Sequence, residues 1–489
     1  MVLAGFKPGK IVNRDGAVCE GAELLGKVAA RTSRLEALGI GPRDRVLICH
    51  GGTDQFFADL LAIWSVGACA VCVNPKSSTH ELINIANFIS PSLVLVDERS
   101  APIEISDSWL VDSFVRVDRV PQTGDFEFRH PISSELEALI LFTSGTTGDP
   151  KGVVHTYRSV VSRISTNRAY IGDQILKKSL CLLPTHFGHG LLGSCLTPLY
   201  AGGDLFLNPL TSIGEFANVG RKIDSDQITF FSSVPSMWRV MLKVSKPPSE
   251  KTLRQVNIGS EQVSARLWNE AIKWTGIKNV VSVYGITETA NWIGGVSAQE
   301  RSPQDGLVGR VWDGHAAVRS ESGTISASGE GEILVKTPSL MSGYLNRPEE
   351  TSSVMVNGFF ATGDIGLVDP TGVITVTGRK KLEINRGGIK VSPEEIEALI
   401  ERHDTVAEVC VFGMPHEVSG ETVAAAVVLC GQLSGDNHAD SNKDIDELKI
   451  SLRQTVIPEK IPEKWYILEA IPKTERGKID RARIILDCL

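Results

Sequence analysis

Apolar and polar positions alternate along the first hundred residues in a way that spells strand, helix, strand. Val46 to Cys49 reads as a strand, Gln55 to Val66 as a helix and Ala68 to Val73 as a second strand. A more polar helix follows from Thr79 to Ile89, then the strand Leu93 to Val96. Strands separated by helices predict a parallel sheet covered on both faces. The stretch from Arg99 to Glu135 mixes charge, Pro and Gly and predicts connecting or edge structure.

A second alternating unit runs from Leu139 to about Ser282, with apolar strands at Leu139 to Phe142 and Thr229 to Ser232. From Gly306 to Thr377 the pattern changes to short β segments, among them Glu332 to Lys336 and Val373 to Val376. Turns such as Glu321-Ser322-Gly323 separate them, which predicts a small antiparallel or barrel-like piece. Ser392-Pro393-Glu394-Glu395 opens a helix with an N-cap, a first-turn Pro and a capping-box Glu. Gly431 to Asp444 is polar and predicts an exposed loop.

Composition narrows this little. A chain of 489 residues has room for two or more domains, and 42% hydrophobic with 22% charged residues is ordinary for a globular protein. The formal charge of −8 argues against a nucleic-acid surface. The uncharged run between Asp59 and Lys76 is divided by Gly67 and falls short of the roughly 18 residues of a span. Met1 to Lys10 holds no signal-peptide core. Nine scattered cysteines do not form a disulfide framework, and Cys69-x-x-Cys72 reads as core rather than as a redox or zinc pair. His186 and His189 lack a second pair at zinc spacing. The expectation is a reduced, cytoplasmic protein with no membrane span.

The chemistry is concentrated after the strand Leu139 to Phe142. There Thr143-Ser144-Gly145-Thr146-Thr147-Gly148-Asp149-Pro150-Lys151-Gly152 joins hydroxyls, glycines and a lysine. Glycines let backbone N–H groups turn toward polyphosphate, and hydroxyls and Lys151 add donors and charge. The spacing is not that of a Walker loop. A bare polar turn could look similar, but the strand, the loop and Pro150-Lys151-Gly152 together favour phosphate binding.

With this segment the chain resembles the acyl-adenylate-forming superfamily of acyl- and aryl-CoA synthetases, peptide-synthetase adenylation domains and firefly-type luciferases. The resemblance runs from about Gly21 to Arg483 and returns in Tyr284-Gly285-Ile286-Thr287-Glu288-Thr289, Thr362-Gly363-Asp364, Gly378-Arg379-Lys380-Lys381, Asn385-Arg386-Gly387-Gly388 and Pro472 to Arg481. It implies an α/β fold with a large N-terminal domain, residues 1–380, of doubly wound sheets plus a small β-barrel. A small mobile α+β domain, residues 381–489, would follow.

By the same resemblance Thr143, Ser144, Gly145, Thr146, Thr147, Gly148 and Lys151 hold the ATP phosphates. Glu288 carries Mg²⁺, Thr287 meets the α-phosphate and Tyr284 lies against adenine. Asp364 and Arg379 take the ribose, Lys381 is the hinge, and Lys478 bridges the acid and the α-phosphate. Lys473 is a phosphate-side helper at most, and Asn385 to Gly388 would meet the acyl-AMP after rotation. Taken singly, each has a plainer reading: a helix cap for Thr287, a Gly-Asp turn for Asp364, a solvated basic turn for Arg379 to Lys381.

Leu183 to Gly190 matches the gating stretch, with Phe187 as the gate. Pocket walls are expected from His189, Ser233, Ser236, Gly259, Ser260, Tyr284 and Asn291. No Asp stands there to hold an ammonium group, and Gly188 replaces the Asn of hydroxybenzoate-activating relatives, so an apolar or mildly polar acid is expected. The leading reading is acid + ATP to acyl-AMP + pyrophosphate, then transfer to the CoA thiol. Loading of a carrier-protein phosphopantetheine comes second, and an amine acceptor, luciferase-type oxidation or a non-catalytic binding role follow. The oligomeric state is open, a homodimer included.

Overall fold

The computed structural model of the chain describes residues 6–96, 114–116, 133–143, 151–386, 389–416, 420–430, 441–474 and 477–488. Two large sheets dominate it. The first is seven-stranded, with Glu137–Thr143, Cys69–Cys72, Arg45–Ile48, Leu93–Val96 and Phe114–Arg116 parallel in that spatial order. Lys151–Thr156 folds back antiparallel on Glu137–Thr143, and Gly343–Tyr344 pairs outside it.

The second sheet has fifteen strands among the described residues. Asp204–Leu207, Lys178–Cys181, Phe230–Ser233, Gln255–Ile258 and Val280–Gly285 lie parallel. Trp292–Ser297 then reverses direction, and the expected antiparallel piece continues edge-on from it through Leu307–Val311, Ile374–Arg379, Phe359–Val368 and Gly329–Lys336. One apolar core fills the space between the two parallel sheets, with Trp64, Leu139, Leu180, Ile258 and Trp268 all buried in it.

The predicted elements recur with small shifts at their ends. Thr79–Ile89 keeps its predicted limits, and Ser78 closes a full capping box with Glu81. The helix expected after Ser392 is Pro393–Glu401, and Ser392 Oγ accepts from Glu395 N. The Glu395 carboxylate turns to Lys460 Nζ, at 2.8 and 2.7 Å. Of the loop expected over 431–444, the last residues belong to the helix Ser441–Arg453, and 431–440 fall outside the described residues, as does most of 99–135.

Beyond Leu382 a five-stranded sheet forms around Val406–His416 and Gly420–Leu429, with its own apolar core of Ile396, Val411, Val427 and Leu448. Its strand Ile384–Arg386 begins three residues past Lys381.

Cys69 and Cys72 are both buried, one in each of two separate apolar clusters. Strand positions three apart face opposite sides, so the pair cannot close. No helix of the described residues is long and apolar enough to cross a membrane.

Candidate active site

Parallel strands leave their carboxyl ends at one edge of the sheet, where loops converge and ligands bind in open α/β folds. Here Cys181, Ser233, Ile258 and Gly285 end four strands at that edge, and the residues just beyond each carry the site. Two cavities open there, of ≈ 860 and ≈ 1020 Å³. They share Phe187, Ser260, Glu261, Gly285, Arg379 and Lys478.

The first cavity contains the Asp364 cluster. Asp364 and Arg379 stand directly opposite each other on antiparallel strands, and Arg379 Nε lies 2.7 Å from Asp364 Oδ1. Tyr284 donates its hydroxyl to Asp364 Oδ2 at 2.6 Å. Burial, reinforced by this carboxylate, pushes the Tyr284 phenol well above its ordinary value. A carboxylate backed by a guanidinium, with lone pairs to spare, suits a diol.

The second cavity contains Thr287, Glu288 and Lys151. The turn Thr287–Thr289 is held at all three carbonyls: His155 Nε2 donates to Thr287 O at 2.8 Å, Met341 N to Glu288 O at 2.8 Å and Ser339 Oγ to Thr289 O at 3.1 Å. Gly285 permits the approach to this turn, since a Cβ there would lie 2.2 Å from Asn291 O. Ala290 closes the turn at φ 69°, in the left-handed region uncommon for residues other than glycine. His155 is buried, and desolvation drops its imidazole to about 4. It therefore donates from a neutral ring.

Tyr344 links the other two groups. Its hydroxyl donates to Glu288 Oε1 at 2.7 Å, and Lys151 Nζ stands 3.5 Å from its ring centroid. Lys151 also pairs with Glu350 at 3.0 Å. No pattern in the sequence marks Tyr344, because its role arises from a two-residue strand, Gly343–Tyr344, paired with Lys151–Thr156 across the fold. Ser144, Gly145, Thr146, Thr147 and Gly148 lie outside the described residues, and so does the Thr143 side chain. The Thr143 backbone pairs with Lys151.

Of the expected acid-side residues, Phe187, His189, Ser236, Ser260 and Asn291 line the second cavity. His189 is wedged between two hydroxyls, Ser260 Oγ on Nδ1 and Ser232 Oγ on Nε2, each at 2.6 Å. Burial, with Lys478 nearby, lowers its pKa to about 3. Ser260 sits at φ 70°, a conformation that costs a non-glycine residue energy and is typical of functional sites. Ser233 and Gly259 stand one layer behind the wall. The Ser233 hydroxyl is fully buried between Trp238 Nε1 at 2.7 Å and Asn257 O at 3.0 Å. Gly259 packs on Val283, whose Cγ2 a Cβ would meet at 2.6 Å. Side-chain packing, which the strand pattern does not encode, decides both cases.

Lys478 reaches the site from the C-terminal part of the chain. Thr474 N donates to Lys478 O at 2.7 Å and Gly477 N to Thr474 O at 2.8 Å, making a tight turn. At Gly477, φ is 76° and a Cβ would stand 3.1 Å from Ser236 Oγ, so the tip is pressed against helix Pro235–Val244. Arg239 pairs with Glu401 at 2.8 Å, and Arg266 Nη1 donates to Glu401 O at 2.9 Å and His403 O at 3.3 Å. A cation on the last carbonyls of helix Pro393–Glu401 complements its dipole. Lys473 pairs with Glu408 at 2.9 Å, and Lys381 is exposed at the cavity mouth. Arg386 turns to Glu459 O at 2.7 Å and to Glu463, while Gly387 and Gly388 lie outside the described residues.

Two family models match this chain: AMP-binding enzyme over residues 10–345, and AMP-binding enzyme C-terminal domain over residues 395–478. The long-chain-fatty-acid–CoA ligase FadD13 of Mycobacterium tuberculosis is 30% identical over 461 residues, 91% of this chain and 88% of that protein. The malonate–CoA ligase of Arabidopsis thaliana is 29% identical over 491 residues, 93% of this chain and 79% of that protein. The crystal structure of ATP-bound MatB from Rhodopseudomonas palustris superposes with a TM-score of 0.82 at 25% identity, covering 99% of this chain and 96% of that one.

Proposed function

This chain belongs to the AMP-binding enzyme family, and we propose that it is an ATP-dependent, AMP-forming carboxylic acid–CoA ligase. The observation that carries this reading is the position of Lys478 on the wall shared by the two cavities, with Asp364 on one side and Thr287 and Glu288 on the other.

A carboxylate acylates poorly because hydroxide would have to leave. Joined to AMP it gains a good leaving group. In the first step a carboxylate oxygen attacks the α-phosphorus of ATP and pyrophosphate departs. Catalysis then consists of alignment and charge neutralisation. Asp364, with Arg379 and Tyr284 behind it, is suited to the ribose hydroxyls. Lys151, with Thr143, Ser144, Gly145, Thr146, Thr147 and Gly148 by resemblance, is assigned to the β- and γ-phosphates. Thr287 is assigned to the α-phosphate. Lys478 neutralises the two anions that must meet. In the second step the CoA sulfur attacks the acyl carbonyl and AMP leaves.

Among the described residues no three His, Cys, Asp or Glu side chains cluster as a metal site. Mg²⁺ commonly takes one or two protein carboxylates and completes its shell from substrate phosphates and water. Glu288, a hard oxygen donor in the wall with Lys151, fits that habit. When bound, the ion would offset charge on the phosphates. Tyr344 would keep the carboxylate aimed.

We further assign residues 1–380 to the ATP- and acid-binding domain and 381–489 to a domain that turns about Lys381 between the two steps. The position of Lys478 in the lining of both cavities supports assigning this arrangement to the first step. A cytoplasmic location is part of the same proposal.

The test is pyrophosphate release from ATP across fatty, aryl, dicarboxylic and amino acids, each with and without CoA. An acid that yields pyrophosphate, and a thioester only with CoA, is the expected result. Activation of an acid without any CoA thioester would count against CoA as the acceptor.

A further inference from the structure

We propose that the acid is a monocarboxylate with an apolar tail, and that the pocket rejects a second carboxylate on the substrate. This rests on the ligase reading above and deepens it. Overall similarity does not separate the options, since the malonate-named and fatty-acid-named relatives are 29% and 30% identical.

The wall of the second cavity decides between them. Leu182, Leu210, Phe216, Val234, Met237 and Val240 supply an apolar part of its lining. Leu182 follows the strand ending at Cys181, Leu210 precedes the helix Ile213–Asp226 that carries Phe216, Val234 caps helix Pro235–Val244, and Met237 and Val240 lie in that helix. The cations of this cavity come from other segments and are engaged there: Lys151 and Arg347 with Glu350, Arg319 and Lys380 with Glu332, and Arg379 with Asp364, while Lys381 is exposed at the mouth.

His189 lines the same cavity, and it does not act as a cation. Both ring nitrogens are occupied by serine hydroxyls at 2.6 Å, which a neutral imidazole satisfies with one donor and one acceptor. With a pKa near 3 the ring stays uncharged through the physiological range.

Two further features bear on charge. Glu261 lines both cavities, and its Oε1 is buried without a hydrogen-bond partner among the described residues. Burial raises the Glu261 pKa against the pull of Arg239, Lys478 and Lys473, and in its ionised form the group repels a second substrate carboxylate. Arg239 shares a helix with Met237 and Val240, but it lines the first cavity and is tied to Glu401 at 2.8 Å. Lys473 is likewise tied, to Glu408. Lys478 has the reacting carboxylate to neutralise. A dicarboxylate would therefore set its second charge against apolar side chains while the cavity's buried cations are paired elsewhere, an arrangement an interior tolerates poorly.

The experiment compares hexanoate, octanoate, benzoate and phenylacetate with malonate, succinate, adipate and phthalate, using the full chain and ATP. It reads kcat/KM for acid-dependent pyrophosphate release. Hexanoate and adipate differ only by a terminal methyl against a carboxylate. The best monocarboxylate is expected to exceed the best dicarboxylate by about 100-fold or more, as a burial mismatch of this kind produces. In a second arm, Glu261→Gln is expected to shrink the hexanoate-to-adipate ratio by about tenfold by removing one like charge. A dicarboxylate within about tenfold of the best monocarboxylate overturns the proposal. An unchanged ratio in Glu261→Gln removes Glu261 as the rejecting group. Silence from every acid removes the ligase reading itself, and this proposal with it.

Discussion

The Tyr344 hydroxyl donates to Glu288 Oε1 at 2.7 Å while the face of the same ring holds the Lys151 ammonium 3.5 Å from its centroid. One aromatic side chain thus orients both the carboxylate and the cation that are proposed to face the phosphates. A hydrogen bond to a charged acceptor is stronger than a neutral one, and an ammonium over an aromatic face adds to it.

Tyr344→Phe keeps the ring and removes only the hydroxyl. Pyrophosphate release should fall by about tenfold, the equivalent of ~1.4 kcal/mol for one charge-assisted bond. More Mg²⁺ should be needed for half-maximal rate. A magnesium titration of the variant checks this, and wild-type behaviour would mean Glu288 is aimed by something else.

Lys478→Ala should lower acid-dependent pyrophosphate exchange by about 100-fold or more, the scale of removing one group that stabilises developing charge. Thioester formation from synthetic acyl-AMP and CoA should be largely spared, because that step no longer joins two anions. Equal loss of both steps would show that the residue supports the fold of the Thr474–Lys478 turn instead.

Lys381→Pro stiffens the segment between the last strand of the second sheet, Ile374–Arg379, and the first of the C-terminal sheet, Ile384–Arg386. Adenylation should stay within about threefold, since the Arg239–Glu401 and Arg266 contacts already hold the arrangement proposed for adenylation, and thioester turnover should drop by about 100-fold. Normal turnover would place the pivot elsewhere.

His155 gives the folded protein a pH dependence of known sign. Burial lowers its pKa from 6.5 to about 4, so the folded state binds fewer protons than the unfolded chain between those values. Its contribution is complete above about 6.5 and is lost as pH falls toward 4, at most roughly 3 kcal/mol. Calorimetry should show Tm falling as pH is lowered from 7 to 4.5. His155→Gln, which cannot titrate, should flatten that slope while lowering Tm at pH 7. An unaltered slope would exclude His155 as its source.

Much of the fold was legible because burial imposes period. Thr79–Ile89 and Leu93–Val96 have their predicted limits, since a capping box fixes the start of the first and a four-residue apolar run defines the second. The continuity of the antiparallel strands with the parallel sheet was not legible. It depends on Trp292–Ser297 pairing back on Val280–Gly285, a choice of neighbour that no local pattern carries.

The site divides the same way. The sequence by itself determined the groups proposed to touch ATP, because Thr287-Glu288, Gly363-Asp364 and Gly477-Lys478 each sit in a short continuous segment whose backbone sets their direction. Only the tertiary structure decided the acid pocket and its supports. Ser233 and Gly259 stand one layer back, Glu261 and Met237 line the cavity, and Tyr344 and His155 brace the phosphate side from strands far away in the chain. The physical reason is that a phosphate site is built from backbone turns and local donors, whereas a cavity wall is whatever side-chain volume the packing of distant segments leaves exposed.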